Sequence, residues 1–157
     1  IVGLLELKLK YHHKGDIKVI YSMADTKHYI PMPEIPGEKD FNPYYMMLKM
    51  DINKPLYICN HILCIVNYQQ DGMTSRVLQS YEECPVSYAM LREAYLEHQE
   101  IPCMFAYRQC IHYVSSWIFA KRQKKKVNSL WRRKLVWMAV IPGVILNMWV
   151  RWKNRRH

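Results

Sequence analysis

No acidic residue follows Glu100 in this 157-residue chain. Residues 1–100 carry ten Lys/Arg against thirteen Asp/Glu, a formal charge of −3, whereas residues 101–157 carry thirteen Lys/Arg and no acid, +13. The overall charge of +10 therefore averages over a mildly acidic part and a strongly basic one. A last third with no carboxylate of its own calls for an anionic partner, either lipid headgroups or nucleic acid.

Catalytic signatures are also missing. GxGxxG, GxxxxGK[ST], HExxH and GxSxG do not occur, so the chain offers no phosphate-cradling loop, zincin helix or nucleophile elbow. Glu82-Glu83 is a carboxylate pair, but adjacent residues need not face one site. His12-His13 and His98, the latter near Glu97 and Glu100, read as surface histidines. The five cysteines, Cys59, Cys64, Cys84, Cys103 and Cys110, are odd in number. Their spacings, CNHILC and CMFAYRQC, fit neither CxxC zinc knuckles nor a disulfide ladder. His61 and His112 lie near them, yet buried free thiols acting as small hydrophobes are the simpler reading. A reducing compartment follows, and no catalytic, cofactor-binding or metal-ligating residue is expected.

The apolar run from Leu135 to Val150 (LVWMAVIPGVILNMWV) stops at sixteen residues, short of the roughly 20 that a bilayer span takes. As a helix it would rise about 24 Å. Its setting is nevertheless that of a bilayer segment. Trp131 and Trp137 mark one shoulder, Trp149 and Trp152 the other, and the basic stretches WRRK and RWKNRR enclose it. Snorkelling of Lys134 and Arg151 with local thinning covers the missing length. Asn147 is a modest cost, and Pro142-Gly143 marks a kink point. The expectation is a single-pass membrane anchor carried by Trp131, Leu135, Trp137, Pro142, Gly143, Trp149 and Trp152. Around it, Lys124, Lys125, Lys126, Arg132, Arg133, Lys134, Arg151, Lys153, Arg155 and Arg156 would meet anionic lipid or phosphate. A segment lying flat at the interface, and a helix buried in protein, are the alternatives. Eight bases precede the run and four follow it, which places the N-terminal part on the cytoplasmic or matrix side. The layout is similar to the anchors of mitochondrial membrane proteins.

The N-terminal part reads as β structure. Leu5, Leu7, Leu9 and Tyr11 alternate with Glu6, Lys8 and Lys10, and Ile17, Val19 and Tyr21 continue the alternation. With His12-His13-Lys14-Gly15 between them, a hairpin from about Gly3 to Met23 is predicted. Residues 30–43 hold four of the eight prolines and form an extended loop. Residues 44–50 (YYMMLKM) and 56–68 (LYICNHILCIVNY) read as further strands, with Gln69-Gln70-Asp71-Gly72 as a turn. GLLELKLKYHHKGDIKVIYSMAD followed by NPYYMMLKM resembles the opening strands of a C2 domain over about fifty residues. That resemblance implies a lipid-binding β-sandwich whose loops carry aspartates for calcium, and Asp25 and Asp40 sit near such loops. It departs from the family at Asn42-Pro43-Tyr44, where Asp-Pro-Tyr is usual, and in the remaining strands.

Helical composition begins after Thr74. One helix is expected over Val86–Gln99, behind Cys84-Pro85, and a second over Met104 to about Lys121, with Lys121–Lys126 as a basic hinge. The fold class is thus α+β: a small antiparallel sheet within residues 1–73, a helical segment at 74–120, and a basic collar with the hydrophobic run at 121–157. The leading functional expectation is a non-catalytic accessory or structural subunit of a membrane complex, held by the C-terminal anchor among other subunits and anionic lipid. A basic peripheral protein of a nucleic-acid assembly, such as an organellar ribosome, and a peripheral anionic-lipid-binding module are the two alternatives.

Overall fold

A computed structural model of the chain describes residues 1–13, 17–52, 54, 56–59, 61–62, 65, 67, 76–98, 101–130 and 133–156. Two compact units divide it: Ile1–Met32 with Pro43–Gln70, and Pro33–Asn42 with Asp71–His157. Among the described residues both units are built from helices. The β pairing there is a single antiparallel bridge, in which Val2 N donates to Leu56 O at 3.0 Å and Leu56 N to Val2 O at 2.8 Å. The predicted α+β class, with its N-terminal sheet, is therefore corrected to all-α.

The first unit shows why alternation misled. Helix α1 spans Leu4–Leu9, α2 spans Met23–Thr26 with a 3₁₀ turn at Lys27–Tyr29, and α3 spans Tyr44–Asp51. Leu, Glu, Lys and Met are strong helix formers, and a six-residue alternation is too short to outweigh them. The neighbours Leu4 and Leu5 are both buried, which a two-sided strand would not allow. Glu6 and Lys10 form an i,i+4 pair at 2.8 Å. Asp51, at the end of α3, accepts from Leu4 N at 2.6 Å and Leu5 N at 3.4 Å, so it caps α1 across the unit. Ile17 to Tyr21 has no regular structure, and Ile17 and Ile20 are exposed. The strand over 44–50 is helix α3. Of the strand over 56–68, the described residues show no regular structure beyond the bridge; the rest, with the hairpin tip at 14–16 and the turn at 69–72, lies outside the described residues. The C2-domain likeness falls with the same finding, since α1 and α3 occupy its strands.

The second unit contains α4 (Val77–Glu83), α5 (Pro85–Glu97), α6 (Cys103–Arg122), α7 (Lys134–Met138) and α8 (Val140–Asn154). The two predicted helices are present as α5 and α6, each starting one residue earlier. Pro85 opens α5, where a missing N–H costs nothing. The other donors of that first turn go to Glu38, from the proline-rich loop. Its Oε1 accepts from Val86 N at 2.9 Å, and its Oε2 from Ser87 N at 2.8 Å and Ser87 Oγ at 2.6 Å. Lys125 Nζ completes the set at 3.0 Å, on a carboxylate only 1% exposed. Asp40 accepts from Ser80 Oγ at 2.9 Å, so the loop is fastened to α4 and α5.

Helix α6 is the centre of this unit. Ala106, Cys110, Tyr113 and Val114 are buried against α5 on one side and α7–α8 on the other. The hydrophobic run forms α7 and most of α8, and among the described residues no helix is long and apolar enough to cross a membrane. The single-pass anchor is thus corrected: the run lies along α6. Its buried residues are Val136, Ala139, Gly143, Asn147 and Val150, a stripe at three- and four-residue steps. Asn147 Nδ2 donates to Ser115 O at 3.1 Å, so the polar residue that would burden a span is satisfied inside the fold. The break falls at Ala139, not at Pro142-Gly143. Pro142 lies in the first turn of α8, and its missing N–H leaves Met138 O to accept from Tyr107 Oη at 3.2 Å.

Gly143 sets how closely α8 approaches. A Cβ there would stand 2.6 Å from both Cβ and Cγ1 of Val114 and 3.1 Å from Ile111 O. Those atoms sit close to the α6 backbone and cannot swing aside. Gly143→Ala is expected to lower unfolding free energy in urea by about 2 kcal/mol. Adding Val114→Ala should recover part of that loss. A Gly143→Ala protein as stable as the parent would show that the close approach does not exist.

Candidate functional site

Burying the small residues of α8 leaves its large ones outside. Ile141 is 74% exposed, Ile145 61% and Met148 61%, with Trp137, Met138, Val144, Trp149 and Trp152 exposed beside them. At 100° per residue, positions 141, 144, 145, 148, 149 and 152 share one face of the helix, opposite Gly143, Asn147 and Val150. Together they form a continuous exposed aliphatic and aromatic ridge on the second unit. Arg151 and Lys153 border the ridge, and Arg155 and Arg156 end it. Lys153 Nζ lies 5.3 Å from the Trp149 ring centroid, and the Arg156 guanidinium carbon 3.9 Å from that of Trp152. These bases lie over ring faces, which keeps them along the ridge.

The expected site residues are thereby sorted. Trp137, Trp149 and Trp152 are on the outer surface, Leu135 and Pro142 are half-buried, and Gly143 is buried against α6. Trp131 and Arg132 lie outside the described residues. Arg133, Lys134, Lys124, Lys126, Arg155 and Arg156 are exposed, and Arg151 and Lys153 partly so. Lys125 departs from expectation, because its ammonium is turned inward onto Glu38. Sequence reading missed Ile141, Ile145 and Met148. Their four- and three-residue spacing between small residues was a readable signal of which face turns outward.

A second polar cluster lies inside the unit, between α4, α5 and α6. Tyr81 Oη donates to His112 O at 2.8 Å and stands 3.0 Å from Nδ1 of the same histidine. Arg92 Nη1 donates to Gln109 Oε1 at 3.1 Å. Burial pushes the Tyr81 hydroxyl above its ordinary value, against the pull of Arg92, Ser116 and Ser115 beside it. Burial, then the charges of Arg92 and Arg108, push His112 down to about 4. A neutral His112 and a protonated Tyr81 make a structural joint.

Cys84 and Cys110 are buried free thiols, as their hydrophobic surroundings suggest, whereas Cys59 and Cys103 are exposed. Burial raises the Cys110 thiol. Among the described residues no group of His, Cys, Asp and Glu could hold a metal ion. No family model, curated protein or solved structure matches this chain.

His112 gives a pH dependence with a defined sign. Its folded value of about 4 lies below its ordinary 6.5, so the unfolded chain binds the proton more readily. The stability this supports is complete above pH 6.5 and drains away as pH falls toward 4. Urea titrations should show a loss of about 1 kcal/mol between pH 7 and 5.5. His112→Gln should flatten that interval, and an unchanged slope in the variant would exclude His112 as its source.

Proposed function

We propose that this protein is a non-catalytic accessory component of a membrane surface, held there by the outer face of α7–α8 and its basic border. The observation that carries this reading is the ridge Trp137–Ile141–Ile145–Met148–Trp152, apolar, exposed and edged by Arg and Lys. Such a helix lies in the interface plane with its apolar face about 5–10 Å into the headgroup–acyl boundary. Tryptophans suit that depth because the ring is apolar and the indole N–H remains wet. Each base near an anionic surface adds about 1 kcal/mol. Neither contribution requires the run to span the bilayer. The ridge also argues against a nucleic-acid surface, where aliphatic side chains would displace water without meeting phosphate or base edges.

Flotation with vesicles tests the reading. The protein should float with phosphatidylcholine vesicles containing phosphatidylserine, much less with phosphatidylcholine alone, and should be released by high salt or alkaline carbonate. Ile141→Glu with Ile145→Glu should weaken binding at least about tenfold, since two apolar side chains are lost from the interface. Helical circular dichroism should be unchanged, because both residues face outward. Failure of the native protein to float, or equal binding by the double variant, would refute the proposal.

A further inference from the structure

The order of bases along the chain differs from their order in space. In sequence, Lys121–Lys126 precedes the hydrophobic run and Arg151–Arg156 follows it, as the flanks of a span would. In the second unit α6 and α8 run parallel. Gly143 meets Val114 and Ile111, Asn147 meets Ser115, and Val150 packs with Phe119. The chain between them doubles back along α6. Tyr113 Oη donates to Asn128 O and accepts from Leu130 N, and Met138 O is met by Tyr107. The C-terminal ends of α6 and α8 therefore emerge together.

Glu82 of α4 fastens both ends. Its carbonyl accepts from Gln123 Nε2 at 2.7 Å, and its Oε2 accepts from Asn154 Nδ2 at 2.9 Å. Around this join Lys121, Arg122, Lys124, Lys126, Arg155 and Arg156 are exposed, with Arg151 and Lys153 partly so. Glu82 and Glu83 are the acids α4 brings to the same end. The turn that ends α6 adds a second observation. Lys124 N donates to Lys121 O at 3.1 Å and Lys125 N to Ala120 O at 2.8 Å, closing a Schellman turn. The left-handed position of that turn, ordinarily glycine, is occupied by Lys124 at φ 57°. A lysine stands where the backbone is eased by having no side chain. The turn also projects Lys124 and Lys126 outward while Lys125 goes in to Glu38.

We infer that the joined C-terminal ends of α6 and α8 form a site for a multiply charged phosphate headgroup of a membrane lipid. This rests on the membrane-surface reading above and names the lipid class it prefers. Charge complementarity carries it: several bases gathered at one end of the unit suit one compact polyanion better than dispersed single charges. The apolar ridge of α8 runs into this end at Trp152 and Arg156, so a lipid whose acyl chains lie beneath the ridge places its headgroup there. That continuity favours a headgroup over a free phosphate or a nucleic acid.

The test compares two vesicle types at matched surface charge, one with phosphatidylserine and one with phosphatidylinositol bisphosphate. The native protein should prefer the second by about tenfold, roughly the effect of one or two extra base–phosphate contacts. Lys121→Gln with Arg122→Gln, and separately Arg155→Gln with Arg156→Gln, should each bring the ratio close to one. Arg133→Gln with Lys134→Gln, at the start of α7, should weaken binding to both vesicles and leave the ratio intact. Soluble inositol polyphosphate should compete at the native site. Equal binding of the native protein to both vesicles, or a loss of preference in all three variants alike, overturns the headgroup site and leaves the membrane reading standing. Binding to neither vesicle, or to RNA in their place, overturns both.

Discussion

The contact of Gly143 with Val114 governs the second unit. Because no side chain intervenes, α8 lies directly on α6, and the residues that fit beneath it are the small or polar ones, Ala139, Gly143 and Asn147. The larger residues of the run are turned outward by the same geometry. A buried glycine thus produces an exposed ridge, and the apolar sequence serves two surfaces at once. Its inner stripe holds the helices together, and its outer face stays exposed.

Around that contact, polar groups from distant parts of the chain close the helix ends. Glu38 satisfies the first turn of α5 and draws in Lys125, while Glu82 ties the last turns of α6 and α8. A carboxylate held by several donors, as Glu38 is, would be costly to bury without them. These joints explain where the mildly acidic part of the sequence meets the basic part. They also leave most of the bases of residues 121–156 pointing outward, which is the electrostatic half of the proposed surface. The aliphatic half is the α8 ridge.

Some of this was legible in the sequence. The helices over 86–99 and 104–121 followed from composition and from Pro85, and the polarity of the last third from counting charges. The tryptophans and bases around Leu135–Val150 read as the flanks of a span, whereas the run packs along α6. A span and a helix packed sideways share the same hydropathy, and the small stripe Ala139–Gly143–Asn147 serves helix packing in either setting. The N-terminal sheet failed for another reason. Leu5, Leu7 and Leu9 alternate, but Leu4 beside Leu5 and the Glu6–Lys10 spacing are helical signals, and Asp51, 47 residues from Leu4, supplies the cap that makes α1 possible. No local window contains that partner. Convergence of the α6 and α8 ends was likewise invisible, since it depends on the segment after Arg122 folding back along α6.

The basic stretches Lys121–Lys126 and Arg151–Arg156, which end α6 and α8, lie at one end of the second unit. Genetically encoded spin labels at Arg122 and Arg155, read by pulsed electron resonance on vesicle-bound protein, measure this directly. Two ends of neighbouring packed helices predict a separation within about 20 Å once label length is added to the 8–10 Å between axes. A separation of about 30 Å or more, the thickness of a bilayer core, would mean that the run crosses the membrane and would contradict the account.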